Sequence, residues 1–299
     1  MIGGNGQVGH ALLGQLAPLG EVLATTRTGK LPDGRACLAA DVADTASLAG
    51  LVHLAAADVV VNASAYTAVD RAEDEPELAH LINAEAPRAL AAACASAGVP
   101  LVHFSTDYVF DGSGTRPWRE DDATAPLGVY GASKWAGEQA VRDSGAAHKI
   151  FRLCWVYGPR GGNFLLTMLR LARERDHLRV VADQVGAPTA ALRIADGVAR
   201  ALVAQPGLSG TWHLSAEGET SWHGFATALF QGAVERGLLA RAPTAEAITS
   251  AQFPTRARRP AFSRLDTARF RRDFGFHVGD WREGLDEALD TLAGPSRDP

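Results

Sequence analysis

Tyr130 and Lys134 are the residues whose types and spacing most directly suggest chemistry, in the segment Val-Tyr-Gly-Ala-Ser-Lys. On a helix, this spacing places the phenol and the ammonium on one face, one above the other. The pKa of a phenol is roughly 10, so bringing it near neutrality takes about 3 units, on the order of 4 kcal/mol. A nearby cation in a dry pocket is expected to supply that shift, which would make Tyr130 a general acid for a carbonyl under reduction. The alternative is an ordinary pair on a helix surface.

Thr106 is a third candidate because it ends an apolar run that precedes the tyrosine. If that run is a parallel strand, the Thr106 hydroxyl lies at its carboxyl end, where ligands bind in sheets of this type. From there it can hydrogen-bond the same substrate oxygen as Tyr130.

A glycine-rich loop near the N-terminus suggests a dinucleotide site. Gly3, Gly6 and Gly9 form a GxxGxxG pattern, and a helix is predicted directly after the loop. Glycines let the backbone approach a pyrophosphate, and a helix N-terminus offers free N–H groups and a partial positive charge. The chain holds 31 glycines, so the triplet alone is weak evidence. Followed in order by the strand threonine and Tyr-x-x-x-Lys, it is much harder to explain by chance.

The composition is that of an ordinary globular protein of 299 residues, with 46% hydrophobic and 21% charged residues. The net charge of −5 gives no electrostatic basis for binding nucleic acid or an anionic membrane. The cysteines Cys37, Cys94 and Cys154 lie in apolar runs without metal-ligand spacing, as expected for reduced thiols. No apolar stretch reaches the roughly 18 residues of a membrane span, and the N-terminus lacks a signal-peptide pattern. We therefore expect a cytoplasmic protein.

Apolar runs that are typical of buried strands alternate with helical patterns through the first two-thirds of the chain. The predicted strands are residues 21–26, 36–40, 58–64, 100–106, 149–156 and 210–215, and the predicted helices are residues 7–17, 44–54, 76–97, 131–145 and 190–204. Continuous apolar strands separated by helices indicate a parallel sheet covered on both faces. The predicted fold class is α/β, a doubly wound, Rossmann-like parallel sheet with a smaller C-terminal part.

That smaller part is predicted to bind the substrate. Helical patterns cover 221–236, 264–274 and 281–292, whereas 243–260 has little periodicity. We expect three regions: a dinucleotide-binding domain over 1–155 that 189–215 rejoins, a substrate-binding domain from 156–188 and 216–293, and a disordered tail over 294–299.

The first strand is expected to be truncated, since only Met1 and Ile2 precede Gly3. A dinucleotide loop should follow a buried strand of about five residues. A different start of the chain, a shortened chain and a sheet that tolerates the stub are all compatible with this pattern.

Together these motifs resemble the dTDP-4-dehydrorhamnose reductases, an extended short-chain dehydrogenase/reductase family, over nearly the whole chain. The shared segments are Gly-Gln-Val-Gly (6–9), Val-Asn-Ala-Ser-Ala-Tyr-Thr-Ala-Val-Asp (61–70), Glu-Asp-Glu-Pro-Glu-Leu-Ala (73–79), Ser-Thr-Asp-Tyr-Val-Phe-Asp-Gly (105–112), Pro-Leu-Gly-Val-Tyr-Gly-Ala-Ser-Lys (126–134), Phe-Arg-Leu-Cys-Trp-Val-Tyr (151–157), Gly-Gly-Asn-Phe (161–164), Asp-Gln-Val-Gly-Ala-Pro-Thr (183–189) and Arg-Arg-Pro-Ala-Phe-Ser-Arg-Leu (258–265). The glycine and Tyr-Lys segments recur across the superfamily, whereas the others are more specific to this family.

The resemblance implies NAD(P)H-dependent reduction of the C4 ketone of dTDP-4-dehydro-6-deoxy-L-mannose to dTDP-L-rhamnose, in the biosynthesis of cell-surface polysaccharides. Hydride would go to the sugar C4 and Tyr130 would protonate the oxygen. Lys134 would lower the phenol pKa and hold the nicotinamide ribose, and Thr106 would bind the sugar oxygen. The residues that match cofactor contacts are Gly3, Gly6, Gln7, Val8, Gly9, Asp41, Val42, Ala63, Ala65, Tyr66 and Thr67, and those that match sugar contacts are Asp107 and Trp155.

The end of the second predicted strand indicates which cofactor is used. Where NAD-preferring folds carry an acid for the ribose 2′-hydroxyl, this chain has Thr26 and Arg27, with Lys30 nearby. Threonine and cations there fit a 2′-phosphate, so we expect NADPH, with NADH as the second choice.

Two further departures from the family pattern concern Tyr66 and the metal. Tyr66 stands where the family usually has a histidine, and it adds bulk near the cofactor. Some relatives are associated with magnesium, but Ala11 and Leu192 occupy places where acids would help, and no acidic cluster has ligand spacing. We therefore predict no protein-bound metal, and we expect the acidic segment 73–75 to be solvated.

Three arginines and a tryptophan each have two interpretations. Arg256, Arg258 and Arg259 suit the diphosphate of the substrate, because arginine forks match phosphate oxygens. Arg259 is favoured, and a solvated basic loop is the alternative. Trp155, with Tyr157 beside it, is compatible with a stacking platform for a sugar or base and with a core residue.

Two other functions compete with that of a reductase that acts on a dTDP-sugar. A nucleotide-sugar epimerase shares Tyr-x-x-x-Lys but retains NAD tightly, and Thr26 and Arg27 argue against it. A non-catalytic regulatory homologue that binds NADP(H) is opposed by the intact Thr106, Tyr130 and Lys134. The sequence allows a homodimer but does not determine the oligomeric state.

Overall fold

The computed structural model describes residues 1–294. The tail predicted over 294–299 therefore lies outside the described residues, apart from Gly294. Within them the strands are β1 (Thr25–Thr26), β2 (Leu38–Ala39), β3 (Val60–Asn62), β4 (Leu101–Thr106), β5 (His148–Leu153), β6 (Val156–Tyr157), β7 (His177–Val181), β8 (Val185–Gly186), β9 (Thr189–Ala190), β10 (Gly210–His213), β11 (Thr220–Ser221) and β12 (Thr244–Ile248).

The main sheet is parallel and runs in the order β2, β1, β3, β4, β5, β10, with Ile2 between β1 and β3. Ile2 stands where a longer first strand would run, and it bridges both Thr25 and Asn62. Its N–H donates to the Val61 carbonyl at 2.8 Å, and its own carbonyl accepts from the Ala63 N–H at 2.9 Å. The doubly wound parallel sheet with a short first strand is thus confirmed.

Helices cover both faces of this sheet. They are α1 (Gln7–Leu16), α2 (Thr45–Ala55), α3 (Val69–Ala72), α4 (Pro76–His80), α5 (Ala86–Ala97), α6 (Val129–Asp143), α7 (Phe164–Glu174), α8 (Ala191–Ala204), α9 (Trp222–Glu235), α10 (Ala268–Phe274) and α11 (Trp281–Ala293). The predicted helix over 76–97 is present as α4 and α5, joined by one π-helical turn, Leu81–Glu85.

Local sequence explains where several helices begin and end. The Asn163 side chain accepts from the Leu166 N–H at 3.0 Å and caps α7, and Asp280 and Glu283 form a capping box at α11. Helix α5 ends at Gly98, whose φ of +69° suits a left-handed C-cap. Among residues 1–294, no helix is long and apolar enough to cross a membrane.

Alternate residues of the central strands pack into different cores. Val61 and Val102 join the large cluster that contains residues of α1, α7, α8, α9 and α11, whereas Val60 and Leu101 join a cluster with residues of α2 and α5. All four are buried, and each buried aliphatic side chain contributes about 1.5–3 kcal/mol. This double burial rigidly fixes the carboxyl ends of β3 and β4.

The C-terminal third contains elements that sequence periodicity missed. Strand β12 falls in the segment 243–260 and pairs in parallel with β7, while α7 lies between β6 and β7. Strand β12 alternates buried and exposed residues only weakly, which explains why no strand pattern was visible. Strand β11 pairs antiparallel with β8, and this pairing brings the start of α9 next to the end of β5.

Candidate active site

The glycine loop forms a cradle at the start of α1. Gly3 has a φ of +87°, and a Cβ at Gly9 would lie 2.1 Å from the Gly3 carbonyl oxygen. Only glycine fits at these positions. Helix α1 has no side-chain cap at Gly6 and no acidic residue in its first turn, so its N–H groups and dipole are available to an anion. The cradle fits the pyrophosphate of a dinucleotide.

A second loop, which sequence reasoning did not place here, lies against this cradle. Asn163 Nδ2 donates to Gln7 Oε1 at 2.9 Å and to the carbonyls of Gly158 and Arg160, each at 2.9 Å. Asn163 therefore fixes the first side chain of α1 and the loop 158–163 together. The Gly-Gly-Asn-Phe segment was the signal that could have located it.

The residues predicted to bind the adenosine end lie after β1 and β2. The Thr26 hydroxyl accepts from the Lys30 N–H at 3.1 Å and donates to the Lys30 carbonyl at 3.0 Å, so it holds the turn. Arg27 and Lys30 are exposed. Asp41 accepts from the Ala43 N–H at 3.0 Å in a local turn, with Val42 half-buried beside it. The cations, rather than the threonine, are free for a phosphate.

The segment after β3 leads from the glycine cradle to α6, the helix that carries Tyr130. Ala65 and Thr67 are exposed and Ala63 is half-buried, so they line an open edge. The Tyr66 phenol donates to Glu75 Oε2 at 2.7 Å, and its ring packs in a cluster with Tyr130. The substituted tyrosine is therefore part of the wall of the site.

Asn83, which sequence reasoning did not identify, ties this segment to α6. Its amide pairs with both the N–H and the carbonyl of Tyr66, at 2.9 and 3.0 Å. The same amide donates to Ser133 Oγ at 3.0 Å, and Ser133 in turn donates to the Tyr130 carbonyl at 2.9 Å. Asn83 is 1% exposed, and its contacts span distant parts of the chain, so no local pattern could reveal it.

The acidic segment 73–75 is partly exposed, as expected of solvated charges, and each of its carboxylates also makes a contact within the protein. Glu73 accepts from the Val129 N–H at 2.8 Å and so caps α6, the helix that carries Tyr130. Glu75 holds the Tyr66 phenol and Arg71, and Asp74 pairs with Arg256. These carboxylates position the catalytic helix and the C-terminal segment over it.

Tyr130 lies in the first turn of α6, where its phenol faces Thr106 at the end of β4. Burial raises the pKa of Tyr130 to about 12, with Thr106 opposing the shift and Asp107 adding to it. The expectation that a dry pocket brings this pKa near neutrality is wrong, because burial disfavours the charged phenolate. A phenol with this pKa is protonated at neutral pH, as a proton donor must be.

Lys134 lies one turn further along α6 and is 2% exposed. Its ammonium donates to the Phe104 carbonyl at 2.6 Å. Burial lowers the pKa of Lys134 to about 8, and Glu138 opposes the shift. The predicted face shared with Tyr130 is confirmed, but the ammonium contacts the strand and does not lower the phenol pKa in this structure.

Asp107 is buried beside Thr106 at the sheet edge. It is 2% exposed, and its Oδ1 accepts from the Thr106 hydroxyl at 2.8 Å. Burial raises the pKa of Asp107 to about 6, while the neighbouring Thr106, Cys154 and Ser263 oppose the shift. A buried carboxyl group thus lies next to the hydroxyl of Thr106, the threonine predicted to bind the substrate oxygen.

Trp155 does not offer an open stacking face. One face lies against Trp222, with ring centroids 3.6 Å apart and planes within 7°. A Cβ at Gly186 would lie 2.7 Å from Trp155 Cε2 and 3.0 Å from both Cζ2 and Nε1, which places Gly186 over the other face. The φ of +45° at Trp155 is strained for a tryptophan and directs the indole into this sandwich. Only the ring edge is free to contact a ligand.

Two of the three arginines are already paired. Arg259 donates to Asp70 Oδ2 at 2.7 Å, and Arg256 pairs with Asp74. Arg258 lines the small cavity beside Tyr130 and forms no ion pair with an acid of residues 1–294. The structure thus offers Arg258, which is exposed and lines the same cavity as Tyr130, as a cation open to a ligand, whereas the sequence favours Arg259.

No group of three or more His, Cys, Asp or Glu side chains among residues 1–294 could hold a metal ion. The absence of a bound metal stays a prediction.

Comparisons with known proteins extend over nearly the whole chain. The family model of the RmlD substrate binding domain matches residues 1–293. The chain is 43% identical over 295 residues to a dTDP-4-dehydrorhamnose reductase of Escherichia coli K12, covering 98% of this chain and 97% of that protein. It is 45% identical over 291 residues to the same enzyme of Burkholderia thailandensis, covering 94% of each. The solved dTDP-4-dehydrorhamnose reductase from Bacillus anthracis in complex with NADP superposes with a TM-score of 0.87, at 32% identity and 96% coverage of each chain.

Proposed function

Because the chain belongs to the dTDP-4-dehydrorhamnose reductase family, we propose that it reduces the C4 ketone of dTDP-4-dehydro-6-deoxy-L-mannose to dTDP-L-rhamnose with NADPH. The observation that carries this proposal is that Tyr130, in the first turn of α6, faces Thr106 at the carboxyl end of β4. Both side chains lie at the same sheet edge as the glycine cradle. A proton donor and a dinucleotide cradle at one edge are what carbonyl reduction requires.

The residues of this chain divide the work of the reaction among them. Gly3 to Gly9 and the N-terminus of α1 would hold the pyrophosphate of the cofactor, and the buried Lys134 would hold the nicotinamide ribose. When bound, the reduced nicotinamide supplies the hydride. Tyr130 gives its phenolic proton to the sugar O4, and the raised pKa keeps that proton in place until charge develops on the oxygen.

NADPH is proposed as the cofactor, with NADH as the second choice. The relative from Bacillus anthracis was solved with NADP, and Arg27 and Lys30 are exposed after β1. Replacing Arg27 by alanine is expected to lower the ratio of kcat/KM with NADPH to that with NADH by about tenfold or more, since a charge-assisted hydrogen bond is worth about 1.5–3 kcal/mol. Steady-state kinetics with both cofactors measure this ratio.

Arg88→Ala is the matched control for Arg27→Ala. Arg88 is an exposed arginine of α5 that pairs with Glu85, and its removal should leave the cofactor ratio unchanged. An unchanged ratio in Arg27→Ala would show that Arg27 does not contact the 2′-phosphate.

The sugar is proposed to contact Asp107 and the edge of Trp155, and its diphosphate Arg258 or Arg259. Replacing Trp222 by alanine removes the indole that stacks on Trp155. Because an aromatic pair contributes about 0.5–1.5 kcal/mol, we expect KM for the dTDP-sugar to rise roughly two- to tenfold, with KM for NADPH unchanged. Trp222→Phe keeps a ring against Trp155 and should stay near wild type. Equal KM values in Trp222→Ala and wild type would contradict a substrate contact by Trp155.

We also propose a domain division, a cellular location and the kinds of partner for this protein. The division into a cofactor domain (1–155 with 189–215) and a substrate domain (156–188 with 216–293) is supported by β10, which joins the main sheet. The free thiols of Cys37, Cys94 and Cys154 support a cytoplasmic location. A homodimer stays a prediction. The net charge of −5 does not favour nucleic acid as a partner.

Oxidation of NADPH in the presence of the dTDP-4-keto-sugar tests the proposal. We expect absorbance of NADPH to fall only when the sugar nucleotide is present and dTDP-L-rhamnose to appear in equal amount. An epimerase would interconvert sugars without net loss of the reduced cofactor, and a regulatory homologue would bind NADPH without consuming it.

A further inference from the structure

The single proton of the Thr106 hydroxyl is already engaged in this structure. The hydroxyl donates to Asp107 Oδ1 at 2.8 Å and accepts from the Tyr108 N–H at 3.2 Å. A hydroxyl has one proton to donate and two acceptor positions, so the single proton of Thr106 points at Asp107 and the Tyr108 N–H fills one of the two acceptor positions.

A Thr106 proton that points at Asp107 is not available to the oxygen of a ketone substrate. The oxygen of a ketone only accepts hydrogen bonds, so Thr106 cannot contribute a hydrogen bond to it while its proton is held by the Asp107 carboxylate. In that state Thr106 is an acceptor, suited to the hydroxyl of the product alcohol. A neutral Asp107 carboxyl reverses the arrangement.

Asp107 is surrounded by groups that do not fix its charge. The titratable side chains that face it are Tyr130 of α6, Tyr108 of the turn after β4 and Cys154 after β5, with Ser263 from the C-terminal segment. Arg259 is directed at Tyr108 and pairs with Asp70. Asp107 Oδ2 is buried without a hydrogen-bond partner. No cation therefore holds Asp107 as a carboxylate.

We propose that Asp107 is a positioning residue for the reduction, whose protonation turns the Thr106 hydroxyl from an acceptor into a donor toward the substrate ketone. The inference rests on the proposed function. With a neutral carboxyl, Asp107 donates to Thr106 Oγ1, the Tyr108 N–H fills the other acceptor position, and the Thr106 proton is released toward O4. The Tyr130 phenol also donates to O4. Only the phenolic proton is transferred, and Asp107 keeps its own.

The direction in which kcat changes with pH follows from the titration of Asp107. Burial raises the pKa of Asp107 to about 6, so the carboxyl is neutral below that pH and ionised above it. We expect kcat for ketone reduction to rise about 30-fold as the pH falls from about 7.5 to 5, because the neutral fraction of a carboxyl group with a pKa of about 6 rises from about 0.03 to about 0.9 over that interval. Lys134, whose pKa is lowered to about 8, titrates above this range, and burial holds the pKa of His103 and His213 well below the usual value.

The test is the pH profile of initial rates in a double-mutant cycle of Asp107→Asn and Thr106→Val. The asparagine amide donates to Thr106 at every pH, so Asp107→Asn is expected to lose the rise near pH 6 and to retain at neutral pH a kcat close to the wild-type value at low pH. Thr106→Val removes the hydroxyl through which Asp107 acts. Adding Asp107→Asn to it should therefore change kcat by less than about twofold. Thr106→Ser restores a hydroxyl and should recover the wild-type rise.

Three results would overturn the inference. The first is a rise near pH 6 that persists in Asp107→Asn, and the second is an equal effect of Asp107→Asn with and without the Thr106 hydroxyl. A change in KM alone with an unchanged pH profile would also overturn it, since it would make Asp107 only a substrate contact. If the wild-type protein oxidises no NADPH with the keto-sugar at any pH, the proposed function fails instead. Thermal unfolding of each variant identifies any variant that does not fold. If Thr106→Val does not fold, Thr106→Ser is compared with the wild-type protein instead.

Discussion

Replacing Tyr130 by phenylalanine is expected to lower kcat for ketone reduction by about 10²-fold or more, because it removes the proton donor and leaves the ring in place. The ring packs in a cluster with Tyr66, Ala72 and Ala79, so the shape of the site is retained. Binding of NADPH should be unaffected, since the glycine cradle and Lys134 are unchanged. Single-turnover rates and a cofactor titration measure the two effects separately.

Tyr108→Phe is the matched control for Tyr130→Phe. The two rings lie 5.6 Å apart in an edge-to-face arrangement, and burial raises the pKa of the Tyr108 phenol as well. Because Tyr108 contacts Thr106 through its backbone N–H, the loss of its hydroxyl should cost far less than the loss of the Tyr130 hydroxyl. A Tyr130→Phe variant that keeps more than about half of the wild-type rate would exclude Tyr130 as the donor.

Replacing Arg152 by methionine is expected to lower the free energy of unfolding by about 3–5 kcal/mol. Arg152 is 1% exposed, and it donates to both carboxylate oxygens of Glu138, at 2.9 and 2.8 Å. Glu138 is 0% exposed and would keep only Arg142 as an ion-pair partner. The buried pair joins α6 to β5, so its loss also weakens the support of the catalytic helix. Denaturant unfolding measures the change.

An exposed pair and a double variant serve as controls. Arg170 and Glu174 are 61% and 51% exposed, so Arg170→Met should cost less than about 1 kcal/mol. Replacing Glu138 by glutamine together with Arg152→Met removes the buried charge and should recover part of the loss. If Arg152→Met and Arg170→Met lower the free energy of unfolding by the same amount, the buried ion pair contributes no more to stability than an exposed one.

The parallel sheet and the residues at its carboxyl edge could be predicted because the sequence patterns that indicate them are short and local. Strand β4 is buried along its whole length and reads as a continuous apolar run, and the glycine pattern and Tyr-x-x-x-Lys lie within short segments. Strand β12 was missed since its burial comes from pairing with β7, far away along the chain. Periodicity cannot detect a strand whose register is set by a distant partner.

Parts of the candidate site could not be predicted for the same reason. The sandwich of Trp155 depends on Gly186 and Trp222, and the pairing of Arg259 depends on Asp70. The pKa of Tyr130 was predicted in the wrong direction because the spacing to Lys134 was given more weight than burial. The contact of Lys134 with the Phe104 carbonyl follows from how closely α6 packs on β4, which spacing along the helix does not determine.

Transfer of deuterium from labelled NADPH tests the central claim most directly. The wild-type protein is incubated with dTDP-4-dehydro-6-deoxy-L-mannose and NADPH that carries deuterium at the nicotinamide C4, in each of the two stereochemical forms. We expect one of the two forms to give dTDP-L-rhamnose with deuterium at the sugar C4, in an amount equal to the NADPH oxidised. A product without deuterium at C4 from both forms, or a sugar that changes while NADPH is not consumed, would contradict the assignment as a ketone reductase.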